Sequence, residues 1–325
     1  MRRRSFLASI APAASFASLA PCRPASAQPS RGGAASPVVA SFSILADMVR
    51  EVGGERVAVR AIAGFDTDAH GFELRPSDAH AVRAARLVVR NGLGFEPWFD
   101  RLLRSTGYAG PVVTATDGLR PRGMEDHGHD HDHGGPAGRS PPPASARRVA
   151  DPHCWQDVRL GQAYVRAIAA GLAAADPAGA EAYRRDADAY ARRLAALDAW
   201  VRERIATVPA ARRRVVTSHD SLGYFGDAYG VRFLPAQGVG AEAQPSAAQL
   251  AALIRQVRAE GITAVFLDVP GDAPVVRRLA EEAGVRVAGR LYADTLSPPD
   301  GPAPTYEAMI RHNVGLLVPA MRGDP

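Results

Sequence analysis

The chain has 325 residues, 46% of them hydrophobic, enough for two compact lobes with sizeable cores. Its formal charge of +5 owes most to four arginines near the start (Arg2, Arg3, Arg4, Arg23), so the remainder is nearly neutral and has no global pull towards nucleic acid. Only two cysteines occur, Cys22 and Cys154, and since Cys22 falls in the leader, the mature chain is expected to hold together without an internal disulfide.

Residues 1–27 read as an export signal. Arg2 to Arg4 precede an apolar, small-residue stretch from Phe6 to Ala20, and Ala25-Ser26-Ala27 forms an A-x-A cleavage site before Gln28. The mature protein is therefore expected in the periplasm. Arg3-Arg4-Ser5-Phe6-Leu7 fits a twin-arginine signal, and an arginine-rich Sec signal fits as well. Cys22 invites a lipoprotein reading, but Pro21 before it suits a lipobox poorly. Beyond the leader no apolar run approaches the roughly 20 residues of a membrane span.

After a small, polar tether over 28–36, Pro37 to Phe42 reads as a strand and Ile44 to Val52 as a helix that Gly53-Gly54 ends. Arg56 to Ala63 alternates like a second strand and opens into a loop, Gly64 to Glu73, that carries His70. Pro76 starts a helix, Leu87 to Arg90 is a third strand, and a helix around Pro97 to Leu103 leads to a strand at Pro111 to Thr114. This β/α alternation is the mark of a parallel sheet. Residues 117–149 break it: glycine, proline and aspartate replace periodic apolar residues, so the segment reads as a disordered surface loop. Within it His127, His129, His131 and His133 alternate with Gly128, Asp130 and Asp132.

Order resumes at Asp151-Pro152-His153-Cys154-Trp155, followed by a helix from about Val158 to Ala174. A longer helical pattern fills 177–207, with Tyr183, Ala187, Tyr190, Leu194, Leu197, Val201 and Ile205 at steps of three and four, and reads as a rigid connector. From 208 the alternation repeats, with strands at 213–217, 231–235, 263–267 and 285–290, helices between them, and a last helix near Tyr306 to Met321. The expected architecture is α/β: an N-terminal lobe (37–176) and a C-terminal lobe (208–325), each with a mainly parallel sheet flanked by helices, joined by the 177–207 helix across a cleft.

Ligands of open α/β sheets sit at the carboxyl ends of strands. His219, in Thr217-Ser218-His219-Asp220, stands at such an end, and His70, His153 and Asp294 lie at equivalent positions, two candidates from each lobe. Three imidazoles and one carboxylate make a complete tetrahedral shell for Zn²⁺. Each has a plainer reading: a hydrogen-bonded core histidine for His219, a turn cap for Asp294, preparation of the next helix for His153. His80 and His312 fall in helical contexts and read as surface or packing residues.

The chain resembles the periplasmic solute-binding proteins that deliver zinc or manganese to ABC importers, the cluster A-I, ZnuA/TroA-like family. The likeness rests on His70 followed by the RPSD helix start, the DPHxW element at 151–155, the TSHDxxGYF element at 217–225, the LYADTLS element at 291–297, the long linking helix and the histidine-rich loop. It implies that His70, His153, His219 and Asp294 ligate one tightly bound Zn²⁺, and that the partner is a membrane permease, with a periplasmic zinc chaperone as a further expected contact. It also implies a monomer, a carrier and not an enzyme. In manganese-selective members the third position is usually a carboxylate, so His219 points to zinc, in keeping with the preference of imidazole for the softer ion. The family often has an aliphatic residue where this chain has Cys154, a buried small residue or an alternative soft ligand.

The loop histidines are expected to add weaker zinc sites, since ordering a flexible segment costs entropy at each capture; the plain alternative is a solvated insertion with no role in the cell. Other function classes stay in view: a manganese or mixed-metal binding protein, a periplasmic zinc buffer or chaperone, and a zinc hydrolase. The hydrolase fits worst, because four protein ligands leave no open position for water and neither H-E-x-x-H nor G-x-S-x-G occurs.

Overall fold

The computed structural model describes residues 34–125, 148–236, 246–268 and 273–324. The expected signal peptide and the histidines at 127, 129, 131 and 133 lie outside them.

The first half begins with strand β1 (Ser36–Phe42) and helix α1 (Ser43–Gly53), then β2 (Val57–Ala63), α2 (Pro76–Ala84), β3 (Leu87–Arg90), α3 (Pro97–Thr106) and β4 (Val112–Thr114). The strands form one all-parallel sheet in the order β2-β1-β3-β4. The central β1 is buried from Val38 to Phe42 without alternation, as expected for a strand covered on both faces. Helix α2 starts where its chemistry dictates: Pro76 occupies the first turn, where no amide is needed, and Asp78 Oδ2 accepts from the Arg75 amide at 2.9 Å.

Sequence reading placed one disordered loop over 117–149, of which 117–125 and 148–149 are described, and these residues are ordered. Strand β5 (Gly123–Glu125) pairs antiparallel with β6 (Arg148–Ala150), Met124 is buried, and Leu119 packs against the core. Single apolar residues scattered among glycine and proline carry no period, so a ribbon three residues long leaves no local signal.

After β6 come helix α4 (Val158–Ala175), capped by Asp157 accepting from the Arg159 amide, and the long α5 (Ala180–Ala206), entered through a 3-10 turn at Pro177–Gly179. At 27 residues α5 is about 40 Å long. Its buried stripe, Tyr183, Ala187, Tyr190, Leu194, Leu197, Val201 and Ile205, follows the expected three-and-four spacing. It packs on α1 and α4.

The second half repeats the alternation: β7 (Arg214–Thr217), α6 (Gly223–Tyr229), β8 (Arg232–Pro235), α7 (Ala247–Ala259), β9 (Ala264–Leu267), α8 (Ala273–Ala283), β10 (Arg286–Arg290) and α9 (Tyr306–Arg322). Its sheet is also parallel, in the order β10-β9-β7-β8. The α/β architecture with two parallel sheets and a long helix is thus as expected. The final helix α9 returns to pack on α1 and α5 as well as on β7 and β10. The main hydrophobic core accordingly runs through both halves, from Val38 to Met321, while a smaller one around Val216, Ile254, Val265 and Leu279 lies between the second sheet and helices α7 and α8.

Candidate metal centre

Each of the four candidates follows a strand, directly or after a loop. His70 sits on the loop between β2 and α2, His153 follows β6, His219 follows β7, and Asp294 follows β10. The fold brings all four together: one ligand atom from each lies within 4.8 Å of the others. His70 Nε2 is 3.2 Å from His153 Nε2, and His219 Nε2 is 2.7 Å from Asp294 Oδ2. The Asp294 oxygens lie 3.6 Å from the Nε2 atoms of both His70 and His153. His153, His219 and Asp294 are buried, whereas the His70 side chain keeps 19% exposure.

Two carboxylates behind the histidines set their orientation. His153 Nδ1 lies 2.8 Å from Asp151 Oδ1, which also accepts from the His153 amide at 3.0 Å. His219 Nδ1 lies 3.0 Å from Asp268 Oδ2, while Asp268 Oδ1 accepts from the Ser218 amide at 2.9 Å. With Nδ1–H given to a carboxylate, each ring turns Nε2 towards the centre and gains basicity there. Asp294 is positioned from the other half: Trp155 Nε1 and Gln156 Nε2 both donate to the Ala293 carbonyl, at 2.8 and 2.7 Å. Trp98 Nε1 holds the Ala69 carbonyl at 2.7 Å, and the Phe95 ring stands edge-on to His70 with centroids 4.5 Å apart.

The electrostatics are those of groups waiting for a cation. Burial would lower the pKa of His219, but Asp268 and Asp294, one at each ring nitrogen, outweigh it and hold the value well above that of an ordinary histidine. For His70 burial prevails over the pull of Asp294, and its pKa is lowered. Burial would raise the Asp294 carboxyl, yet the facing His219 and His153 rings keep it well below the carboxylate range. Asp294 Oδ1 is buried with no hydrogen-bond partner among the described residues. Leaving a buried carboxylate oxygen unpaired is costly, and a divalent ion between Asp294 and the imidazoles would satisfy it while replacing the His219 proton.

Cys154 takes no part: its thiol donates to Tyr224 Oη at 3.1 Å, and burial pushes its pKa up to about 11. His80 is exposed on α2, and His312 Nε2 lies 3.0 Å from the Arg290 carbonyl, so both are surface or packing residues as expected. Sequence reasoning missed Asp268 and left Asp151 without a role. A signal for Asp268 was present: it is an acid at the carboxyl end of β9, next to β7, where the rule that found His219 applies equally.

Fold and site together define a metal-binding protein of the class that serves ABC importers as the substrate-binding component. Residues 38–320 match the family described as "Zinc-uptake complex component A periplasmic", and the chain belongs to that family. Among its relatives, the manganese-binding lipoprotein MntA of Halalkalibacterium halodurans is 30% identical over 290 residues, covering 89% of each chain. The iron-binding protein YfeA of Yersinia pestis is 30% identical over 280 residues, covering 86% of this chain and 84% of its own. The solved periplasmic zinc binding protein TroA of Treponema pallidum superposes with a TM-score of 0.77 at 25% identity, covering 88% of this chain and 99% of TroA. A Mn-bound periplasmic metal binding protein of Candidatus Liberibacter asiaticus gives 0.74 at 25% identity with the same coverage.

Proposed function

We propose that this chain captures one Zn²⁺ in the periplasm through His70, His153, His219 and Asp294 and delivers it to the membrane permease of an ABC importer. The observation that carries the reading is the donor set: three imidazole nitrogens and one carboxylate within 4.8 Å, with two of the rings backed by carboxylates. Such a set favours a borderline ion over hard Mn²⁺ and gives Zn²⁺ the four ligands it takes in closed sites. A closed shell leaves no position for an activated water, which supports a carrier over a hydrolase. The second reading is a manganese or mixed-metal carrier, favoured by relatives named for manganese and iron.

In this proposal residues 1–27 are a leader cleaved near Ala27, 28–36 a tether, 37–176 and 208–325 the two lobes, and 177–207 their connector. Relatives named lipoproteins keep Cys22 in view as an anchor, against which Pro21 counts. His127, His129, His131 and His133 add weaker zinc sites, and the mature protein acts as a monomer.

The test is a competition titration of the metal-free mature chain with Zn²⁺ against a chromophoric chelator, repeated in excess Mn²⁺. One tight site that Mn²⁺ fails to displace is expected; ready displacement would turn the reading to manganese, and only weak sites would dismiss the cleft as a metal centre.

A further inference from the structure

Asp151, which turns His153 towards the centre, has a second partner. Arg122, just ahead of β5, donates from Nη1 to Asp151 Oδ2 at 2.8 Å and from Nε to Asp227 Oδ2 at 3.0 Å. Asp151 belongs to the first half and Asp227 to α6 of the second, so one guanidinium joins the halves beside the site. Its place is shaped for it. A Cβ on Gly223, at the start of α6, would come within 1.6 Å of Arg122 Nη1. The Arg122 amide donates to Tyr224 Oη at 3.0 Å, the Asp151 amide donates to the Arg122 carbonyl at 2.9 Å, and Tyr224 Oη donates to the Asp151 carbonyl at 3.1 Å.

We propose that Arg122 is a positioning residue for metal capture, setting His153 through Asp151 and tying that setting to the second half through Asp227. It rests on the reading of His153 as a metal ligand. The Asp151 carboxylate is wholly buried; Oδ1 is taken up by the His153 ring and amide, and Oδ2 accepts from the Arg122 guanidinium. Without Arg122, Oδ2 would lose its charged partner, and the buried carboxylate would turn to regain one, carrying the His153 ring with it. The Arg122–Asp227 contact, with the Asp227 side chain 68% exposed, adds little to stability, so its effect is one of geometry. Lysine cannot reproduce it, because a single ammonium lacks the planar fork that reaches two carboxylates at fixed angles.

The experiment compares Arg122→Ala, Arg122→Lys and Asp227→Asn in the mature chain, with Arg193→Ala as a control on α5 and His219→Ala as a ligand control. Each is read by Zn²⁺ competition titration and by the visible spectrum of the Co²⁺-loaded protein, which reports ligand geometry. Arg122→Ala, acting one contact beyond the direct partner of His153, is expected to weaken Zn²⁺ binding by about 10-fold, the low end of the range for such partners, and to change the Co²⁺ bands. Arg122→Lys should do both to a lesser degree. Asp227→Asn should weaken binding less and add nothing in the Arg122→Ala background, while Arg193→Ala changes neither readout. Wild-type affinity and spectrum in Arg122→Ala, with binding lost in His219→Ala, would overturn the role of Arg122 and leave the metal centre standing. Wild-type binding in His219→Ala would remove the metal reading and this inference with it. Should Arg122→Ala not fold, Arg122→Lys decides: an unchanged spectrum and affinity there overturn the proposal.

Discussion

The three imidazoles of the site are not held alike. His153 and His219 are buried, and each has its Nδ1 against a buried carboxylate, Asp151 or Asp268. His70 rides on the loop between β2 and α2, keeps part of its side chain in solvent, and has no partner for Nδ1 among the described residues. Its loop is held by the backbone instead: Asp68 Oδ1 accepts from the His70 amide at 2.8 Å, and Trp98 holds the preceding carbonyl. The centre is thus part scaffold and part closure. His153 and His219 are each backed by a buried carboxylate, Asp294 follows a carbonyl held by Trp155 and Gln156, and His70 stands on the solvent side of the set.

The largest effect should come from breaking the scaffold. His219→Ala removes a ligand and leaves Asp268 and Asp294 buried without their shared partner; affinity for Zn²⁺ should fall by more than about 100-fold, beyond the range for outer partners, as read by chelator competition. His70→Ala should cost less in the same titration, because its loss leaves no buried charge stranded; an equal or greater loss would make closure, not scaffold, the seat of the affinity. Next in size, Asp268→Asn should weaken binding by about 10- to 100-fold, since asparagine can present its amide to His219 Nδ1 and spoil the tautomer.

A smaller effect concerns the turn beneath both regions. Phe95 touches the rings of His70 and His153, and its neighbour Glu96 is buried, accepting from Ser41 Oγ and the Asn91 and Gly92 amides. Burial raises the Glu96 pKa from 4.5 to about 7. Between these values the folded chain holds more protons than the unfolded one, so this group's contribution to stability is greatest in acid and declines as pH rises towards 7. Glu96→Gln should flatten that decline, by up to about 3 kcal/mol between pH 4.5 and 7, in denaturant unfolding of the metal-free protein. An unchanged slope would place the Glu96 proton elsewhere. Smallest of all, Asp68→Ala removes one hydrogen bond from the His70 loop and should cost about 1 kcal/mol of stability with little change at the anchored histidines, seen by thermal unfolding and by their ring proton resonances.

What could be read from the sequence was whatever leaves a local mark. The β/α alternation and the stripe along α5 did so through periodicity, and His219 and Asp294 did so by standing just past a strand. The partnership of Asp151 with Arg122, or of His219 with Asp268 across 49 residues, has no local period, because it exists only once two strands lie side by side. The ribbon of β5 and β6 was hidden for the same reason, its two strands being individually too short to show a pattern.

One further contact bears on how the chain is made. The Tyr306 amide, which opens α9, donates to Asp47 in α1 at 2.8 Å, a pairing across 259 residues, and its hydroxyl donates to the Trp155 carbonyl. Asp47 is buried and accepts no other hydrogen bond among the described residues. Asp47 therefore lacks its partner until a residue 259 positions further along the chain has been made and folded back. Loss of α9 should therefore strand a buried carboxylate in the first half and leave molecules more prone to proteolysis.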